Sequence, residues 1–362
     1  MAGDAVNAVA AVTVASVRMI PPPVRRPLQP SDRHDRIVGR SALALVVLVT
    51  LTTVWFSRGQ SDDARSSPAP PPTPATISAD FASARDNDPV SIITDEPTCP
   101  QWEPIAAALN TSLGNGWNDR DASIPASHWT PAQRSQHEAV AASMRAAADK
   151  TVALAKATPH RVMRELYGQA IAYWQAYADS IDAYRPASDH LARAAVNAAE
   201  SVNAICAAID FGAAGSRSPL TLPSPPPVPD VPLTDPGQAA RYIAEPSAFC
   251  DEWVAMVSQY ADATREWRGR HDPLLPASSW SAEQRALGEN VAGVMQQNAD
   301  RSQLLGLLSG NLVAADFAAL AAHYRRAFAL SIPEYALPDS HLDNAALRLQ
   351  ALTNQACHAV RN

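Results

Sequence analysis

Lysine is nearly missing from this chain of 362 residues: Lys150 and Lys156 are the only two among 29 basic side chains. With 36 acidic residues the formal net charge is −7 and the pI lies near 5.7, which leaves no general basic surface for nucleic acid. Aromatics interleaved with basic residues are also absent. Cysteine occurs four times, without a Cys-x-x-Cys pair or a recurrent histidine cluster, so neither a redox motif nor a zinc site is predicted. The chain has no nucleophile elbow, no phosphate-cradling glycine loop and no His-Glu-x-x-His helix. Strand-period alternation is missing too. These absences predict no catalytic residue, no metal ligand and no cofactor.

What the chain does have is a repeat. Shifting the sequence by 151 positions superimposes Cys99 on Cys250, Cys206 on Cys357, Trp102 on Trp253, Trp129 on Trp280, Met144 on Met295, Tyr173 on Tyr324 and His190-Leu191 on His341-Leu342. Pro125-Ala126-Ser127 falls on Pro276-Ala277-Ser278 in the same way. One unit has been written twice, and residues 97–213 and 247–362 are the predicted copies.

Before the first copy, Ser41 to Ser57 contains no charged residue and is bracketed by Arg40 and Arg58. Seventeen residues at about 1.5 Å each span roughly 26 Å, the short end for a bilayer, and Trp55-Phe56 suits an interface. The run is predicted to be a transmembrane helix; a cleaved signal peptide is the alternative, but no Ala-x-Ala site follows. Arg25, Arg26, Arg33, Arg36 and Arg40 precede the run, whereas only Arg58 and Arg65 follow closely, so residues 1–40 are expected in the cytoplasm and everything after Arg58 outside. Residues 1–40 read as a disordered Pro/Arg tail, with Met19 as an alternative start. Residues 58–96 and 214–246 are rich in proline and read as a spacer and a linker, making the copies separately tethered beads unless they dock.

Each copy has helical periodicity. The first helix carries Trp102, Ile105, Leu109 and Leu113, answered by Trp253, Met256, Tyr260 and Thr264. The second opens at a capping box, Thr130-Pro131-Ala132-Gln133 or Ser281-Ala282-Glu283-Gln284. The third carries Leu166, Tyr173, Tyr177 and Tyr184 on one face. The fourth shows a heptad-like seam of Leu191, Ala195, Ala198, Val202, Ile205 and Ile209. The predicted fold class is all-α: two tandem antiparallel four-helix bundles after one transmembrane helix. An even number of antiparallel passes brings the start of helix one and the end of helix four to the same end. Of the three pairings four cysteines permit, this geometry selects Cys99–Cys206 and Cys250–Cys357. An oxidising extracytoplasmic compartment lets such bonds persist.

Several residues invite a functional reading beside a structural one. Trp117 and Trp129, matched loosely by Trp267 and Trp280, bracket a proline loop and form a candidate binding loop for sugar or peptide; plugging the bundle end is the structural reading, and the one preferred. His190 and His341 read as first-turn structural histidines. His128, His137 and His160 face Ser279, Gly288 and Asn311, so no further histidine recurs. Arg134–Glu138 and Arg285–Glu289 read as i,i+4 surface pairs, and Asn203 and Asn354 as backbone partners. Pro27-Leu28-Gln29-Pro30 in the tail is a candidate docking motif, or its arginines a lipid contact.

The Cys-x-x-Trp opening at Cys99 and Cys250, the Pro-Ala-Ser-x-Trp loop and the closing cysteines resemble single-pass membrane proteins of unknown function from actinobacteria, over residues 99–210 and 250–361. The resemblance implies lineage and no activity. The functional expectation is a membrane-anchored extracytoplasmic module that binds a cell-envelope protein or ligand bivalently and binds no nucleic acid. A passive scaffold, or an envelope enzyme with a site between helices, are the alternatives. The sequence sets no oligomeric state.

Overall fold

Helix boundaries follow the capping chemistry. At Thr130 the backbone N–H donates to Gln133 Oε1 at 2.9 Å while Gln133 N–H donates to Thr130 Oγ1 at 3.2 Å; Ser281 and Gln284 make the same exchange at 2.8 and 3.1 Å. Each box starts the longest helix of its copy. That helix ends at Thr158-Pro159 in the first copy, where proline disfavours helical geometry in the residue before it. In the second it ends at Ser309 and Gly310, with Gly310 at φ +68°.

The structure is a computed structural model that describes residues 80–223 and 233–361. The predicted tail, the alternative start at Met19, the transmembrane run 41–57, the spacer up to residue 79 and the middle of the linker lie outside the described residues. Among those described there is no strand, and no helix is long and apolar enough to cross a membrane. The helices are α1 (Cys99–Gly114), α2 (Pro131–Ala157), α3 (Arg161–Ser180), α4 (Asp189–Asp210), a short α5 (Ala213–Arg217), α6 (Ala248–Arg270), α7 (Ala282–Leu308), α8 (Leu312–Ser331) and α9 (Ser340–Ala359). In the first copy α1 packs on α2, α2 on α3 and α3 on α4; α6 to α9 repeat that order.

The predicted cysteine pairs form: Cys99 bonds Cys206 and Cys250 bonds Cys357, with Cα atoms 5.6 and 5.1 Å apart. Each joins the start of a first helix to the end of a fourth.

The tethered-bead expectation fails, because the copies dock. α4 lies along α9, and one apolar cluster runs through both copies. The predicted seam describes only one face of α4. A second face of small residues, Ala194, Ser201, Ala204 and Ala208, is buried as well and lets another helix approach closely. His190 and His341 belong to this junction: His190 hydrogen-bonds Gln355 at 2.8 Å and stacks on His358, while His341 stacks on Phe211.

The proline-rich segments are also corrected at their edges. Val90, Ile92 and Ile93 are buried, and their backbone runs beside His323 and Tyr324 of α8, in the second copy. Reciprocally, the 240–243 stretch lies on α3 of the first: Gln169 donates to Ala240 O at 3.1 Å and accepts from Tyr242 N–H at 3.0 Å, and Tyr242 OH donates to Thr353 Oγ1 at 3.0 Å. Each arm crosses to the other copy's third helix. Residues 213–220 are helical rather than linker, and Arg217 grips both carboxylate oxygens of Asp339 at 2.9 Å. The described residues of both copies fall in one compact unit.

Where α3 meets α8, the equivalent positions Glu165 and Asp316 come together. Arg161 donates to Asp316 at 2.7 Å and to the Asp86 carbonyl at 2.8 Å, so one guanidinium ties the arm to both copies. Burial, and then the neighbouring Asp316 charge, push the Glu165 carboxyl well above the usual carboxylate range.

Candidate functional site

The loops between first and second helices spend their polar groups on themselves. Asp121 accepts from Ser123 N–H at 2.9 Å, and Asp272 from Leu274 N–H at 2.9 Å. Trp129 Nε1 donates to Ile124 O at 2.9 Å and Trp280 Nε1 to Leu275 O at 2.8 Å. Ala126 N–H donates to Tyr184 O at 3.0 Å, and Ala277 N–H to Tyr335 O at 2.9 Å. Tyr184 and Tyr335 hydroxyls return bonds to the carbonyls of Ala122 and Pro273, at 3.1 and 2.7 Å. Trp117, Trp267 and Trp280 are buried and Trp129 partly so, their rings directed into the bundle ends.

Inside this end lies a histidine in each copy, delivered by different elements. In the first copy His137 on α2 stacks on Trp129 at 4.0 Å and hydrogen-bonds Tyr177 OH at 2.7 Å, where Trp117 Nε1 also donates at 3.0 Å. In the second, His271 at the end of α6 stacks on Trp267 at 4.3 Å and meets Trp280 and Tyr335 edge-on. Gly288 stands at the position matching His137; a Cβ there would lie 3.0 Å from Ile332 Cγ2 and 3.1 Å from Trp280 Cζ3, so the ring could not come from α7. Comparison by position alone therefore missed the recurrence, although His271 next to Trp267 was visible in the sequence. Burial, reinforced by the Arg120 cation, holds the His137 pKa down at about 4, and burial also lowers that of His271.

The second copy has an open cleft here. A cavity of about 260 Å³ is lined by Trp267, Arg268, His271, Ser340, Asp343 and Asn344, with Phe328 and Leu347 behind. Arg268 donates to the two Asp343 oxygens at 3.0 and 3.4 Å and to Tyr260 OH at 3.3 Å. In the first copy Trp117, Arg120, Asp189 and Arg193 stand at the positions of Arg268, His271, Ser340 and Asn344. Arg120 lies 3.3 Å over the Trp117 ring and bonds Asp189, which Arg193 holds from the other side at 2.5 Å. These side chains fill the space their counterparts leave open.

Ser340, His271 and Asp343 line one cleft without bonding one another. Ser340 Oγ donates to Leu337 O at 2.7 Å, Asp343 is turned to Arg268, and no hydrogen bond joins the three. Nucleophile and base need such a bond. No group of three or more potential metal ligands occurs among the described residues.

Two surface expectations change. Arg134 donates to Ala126 O at 3.0 Å and Arg285 to Trp280 O at 2.5 Å, so both hold the loop instead of pairing with Glu138 or Glu289. Asn203 accepts from Trp102 Nε1 at 2.6 Å, whereas Trp253 Nε1 donates to Gln350 O at 3.3 Å and Asn354 Oδ1 is left without a partner.

A family model described as Mycobacterial ESX-1 associated protein matches residues 81–361. An uncharacterized protein of Mycolicibacterium smegmatis (strain MKD8) is 39% identical over 323 residues, covering 89% of this chain and 85% of the relative. No solved structure matches.

Proposed function

We propose, for a chain that belongs to the Mycobacterial ESX-1 associated protein family, that it is a non-catalytic interaction protein of the secretion system, held at the cell envelope with its helical copies outside the membrane. The observation that carries this reading is the pair of disulfides, each closing its own copy, since such bonds persist in an oxidising compartment. The charge-free run before the copies, between arginine-rich and arginine-poor flanks, supports a single anchor with the N-terminus inside. The shared helix order supports a tandem duplication of a four-helix bundle.

The docking of the copies changes how such a protein would bind. Flexible bivalence gives way to one body that presents two unlike ends, a filled one and one with a cleft, in fixed relation. In-cell crosslinking of the membrane-bound chain in a mycobacterium, followed by mass spectrometry, tests the reading. Reproducible crosslinks to a component of the secretion apparatus support it; crosslinks only to unrelated envelope proteins, or free thiols at Cys99 or Cys250, count against it.

A further inference from the structure

We infer that the tip between α7 and α8 is a docking surface for an apolar, amphipathic helix of a partner protein. Leu304, Leu307 and Leu308 stand three and four apart at the end of α7 and are 46, 63 and 72% exposed; Leu312, the first residue of α8, is 38% exposed. Large apolar side chains are rarely left out together without use. Behind them the seat is firm. Leu305 packs on Trp253, Met256 and Ala318, and Gly306 lets the two helices close so far that an added Cβ would lie 2.5 Å from Ala318 Cβ.

The first copy shows what an occupied tip looks like. There the chain's own segment before the copy covers it: Phe81 is buried with the Lys156 ammonium 5.9 Å from its ring centre, and a 3-10 turn, Ala82–Arg85, follows. Arg164 binds Ser83 O at 3.3 Å and Ser83 Oγ at 2.8 Å, and Arg161 binds Asp86 O at 2.8 Å. Moved by 151, Lys156 becomes Leu307, Arg161 becomes Leu312, Arg164 becomes Ala315, and Ala153 and Ala157 become Leu304 and Leu308. Each polar grip has been exchanged for an apolar one. Most of the segment that the repeat would place on this tip lies on the first copy, where Pro236–Gln238 packs on α2 and α3 and Gln175 donates to Gly237 O at 3.4 Å; its Tyr242 carbonyl reaches the tip only at Asn311, whose Nδ2 donates to it at 2.6 Å. The four leucines themselves stay exposed.

The substitutions thus specify an apolar occupant without acidic contacts. Four leucines offer roughly a few hundred Å², well below the about 800 Å² per partner that a stable dimer buries. That area suits the apolar stripe of a single helix laid across the tip, and disfavours a second copy of this chain. The inference rests on the reading of the chain as an interaction protein, and its own test tells failure at the tip apart from failure of that reading.

The full chain in phosphatidylcholine nanodiscs is titrated into a fluorescein-labelled amphipathic helix with leucines at i, i+3, i+4 and i+7 and an uncharged polar face, and into a scrambled peptide of the same composition. Binding of the patterned peptide alone, weakened about tenfold or more by Leu307→Ser with Leu308→Ser, supports the proposal. Helix content and Tm of the variant are checked beside it, and Leu330→Ser, at an exposed leucine elsewhere, is expected to leave the affinity unchanged. Equal binding of both peptides, or affinity indifferent to the leucines, overturns it. So does sedimentation as a dimer that the double variant dissolves, which would name a second copy, or leucine-dependent flotation with vesicles of mycobacterial lipid, which would name the membrane.

Discussion

The two copies share helix order, caps, loops and bridges, yet their interiors are chemically opposite at one place. In the first, Trp174 stacks on Trp102 with ring centres 6.1 Å apart, among Ala147, Thr151 and Ala199. In the second, Arg325 stands at the Trp174 position, fully buried, with its guanidinium 4.2 Å from the centre of the Tyr260 ring. Arg325 Nη1 donates to Gln350 Oε1 at 2.5 Å and to Asn298, and Gln350 Nε2 donates to Asn298 Oδ1 at 2.8 Å and Ser302 Oγ at 2.5 Å. Asn298, Ser302 and Gln350 match Ala147, Thr151 and Ala199, so the polar partners arrived together with the cation. A buried charge survives only in such company. Arg325 Nε and Nη2 lack hydrogen-bond partners, as does Trp174 Nε1 at the matching position of the first copy. The second copy holds the open cleft and the bare leucines, while in the first the matching tip is covered by Phe81 and the turn Ala82–Arg85.

The largest expected effect tests whether that contrast belongs to two domains or to two halves of one. Both bridges close loops of the same sequence separation, 107, for which the chain-entropy account gives at most about 4–5 kcal/mol. Because one core spans both copies, Cys99→Ser with Cys206→Ser, and Cys250→Ser with Cys357→Ser, are each expected to lower a single calorimetric transition. Two separated transitions in either variant would show that the copies fold alone.

Next comes the interior itself. Arg325→Trp alone leaves Asn298 and Gln350 as buried amides without their cation and is expected to cost about 1–3 kcal/mol in urea denaturation. Adding Asn298→Ala and Gln350→Ala rebuilds the first copy's chemistry and is expected to recover that loss, ending neutral or up to about 1–4 kcal/mol more stable than the parent. Additive costs across the three sites would mean that the network is not a unit.

How much of this could be read beforehand depends on whether the interaction lies within a copy or between copies. The cysteine pairs follow from counting helices, the caps from Thr130 and Ser281 with a glutamine three residues on, and the inward tryptophans from their shared spacing. Docking left a fainter trace, because Ala194, Ala204 and Ala208 look alike whether they face a helix or water. Val90, Ile92 and Ile93 were masked by the prolines around them, and His271 by its arrival on a different helix from His137. Arg325 was in plain view opposite Trp174, but its burial depends on Asn298 and Gln350, which lie on other helices.

A smaller effect separates the copies by pH. His137 in the first copy and His323 in the second each have a pKa of about 4, lowered by burial first and by a nearby arginine second. As pH falls below about 6.5 the unfolded chain takes up protons that these two folded rings refuse, so their contribution to stability declines down to about pH 4 and levels off beneath it, while the raised Glu165 carboxyl acts in the opposite sense. His137→Asn and His323→Asn are each expected to flatten part of that slope in urea midpoints measured from pH 7 to 4. His137→Asn should act more weakly if Arg120 shifts away, which Arg120→Gln measures. Slopes unchanged in both variants would show that the two rings take up protons as readily in the folded chain as in the unfolded one.

The smallest effect is expected where the copies are most alike. Thr130 and Ser281 cap α2 and α7 by the same reciprocal bonds, so Thr130→Ala and Ser281→Ala should each cost about 1 kcal/mol. They differ in the next residue: Pro131 opens α2 and Ala282 opens α7. Proline at that position has its φ set for the helix and no N–H to leave unpaired, so the first turn of α2 retains a second device once its cap is gone. Ser281→Ala should therefore cost a few tenths of a kcal/mol more than Thr130→Ala. So small a gap is best read locally, as faster amide exchange at Gln284 than at Gln133 in the paired variants. Pro131→Ala made in the Thr130→Ala background should close it, and a gap that persists would assign the difference to the loops and not to the helix start.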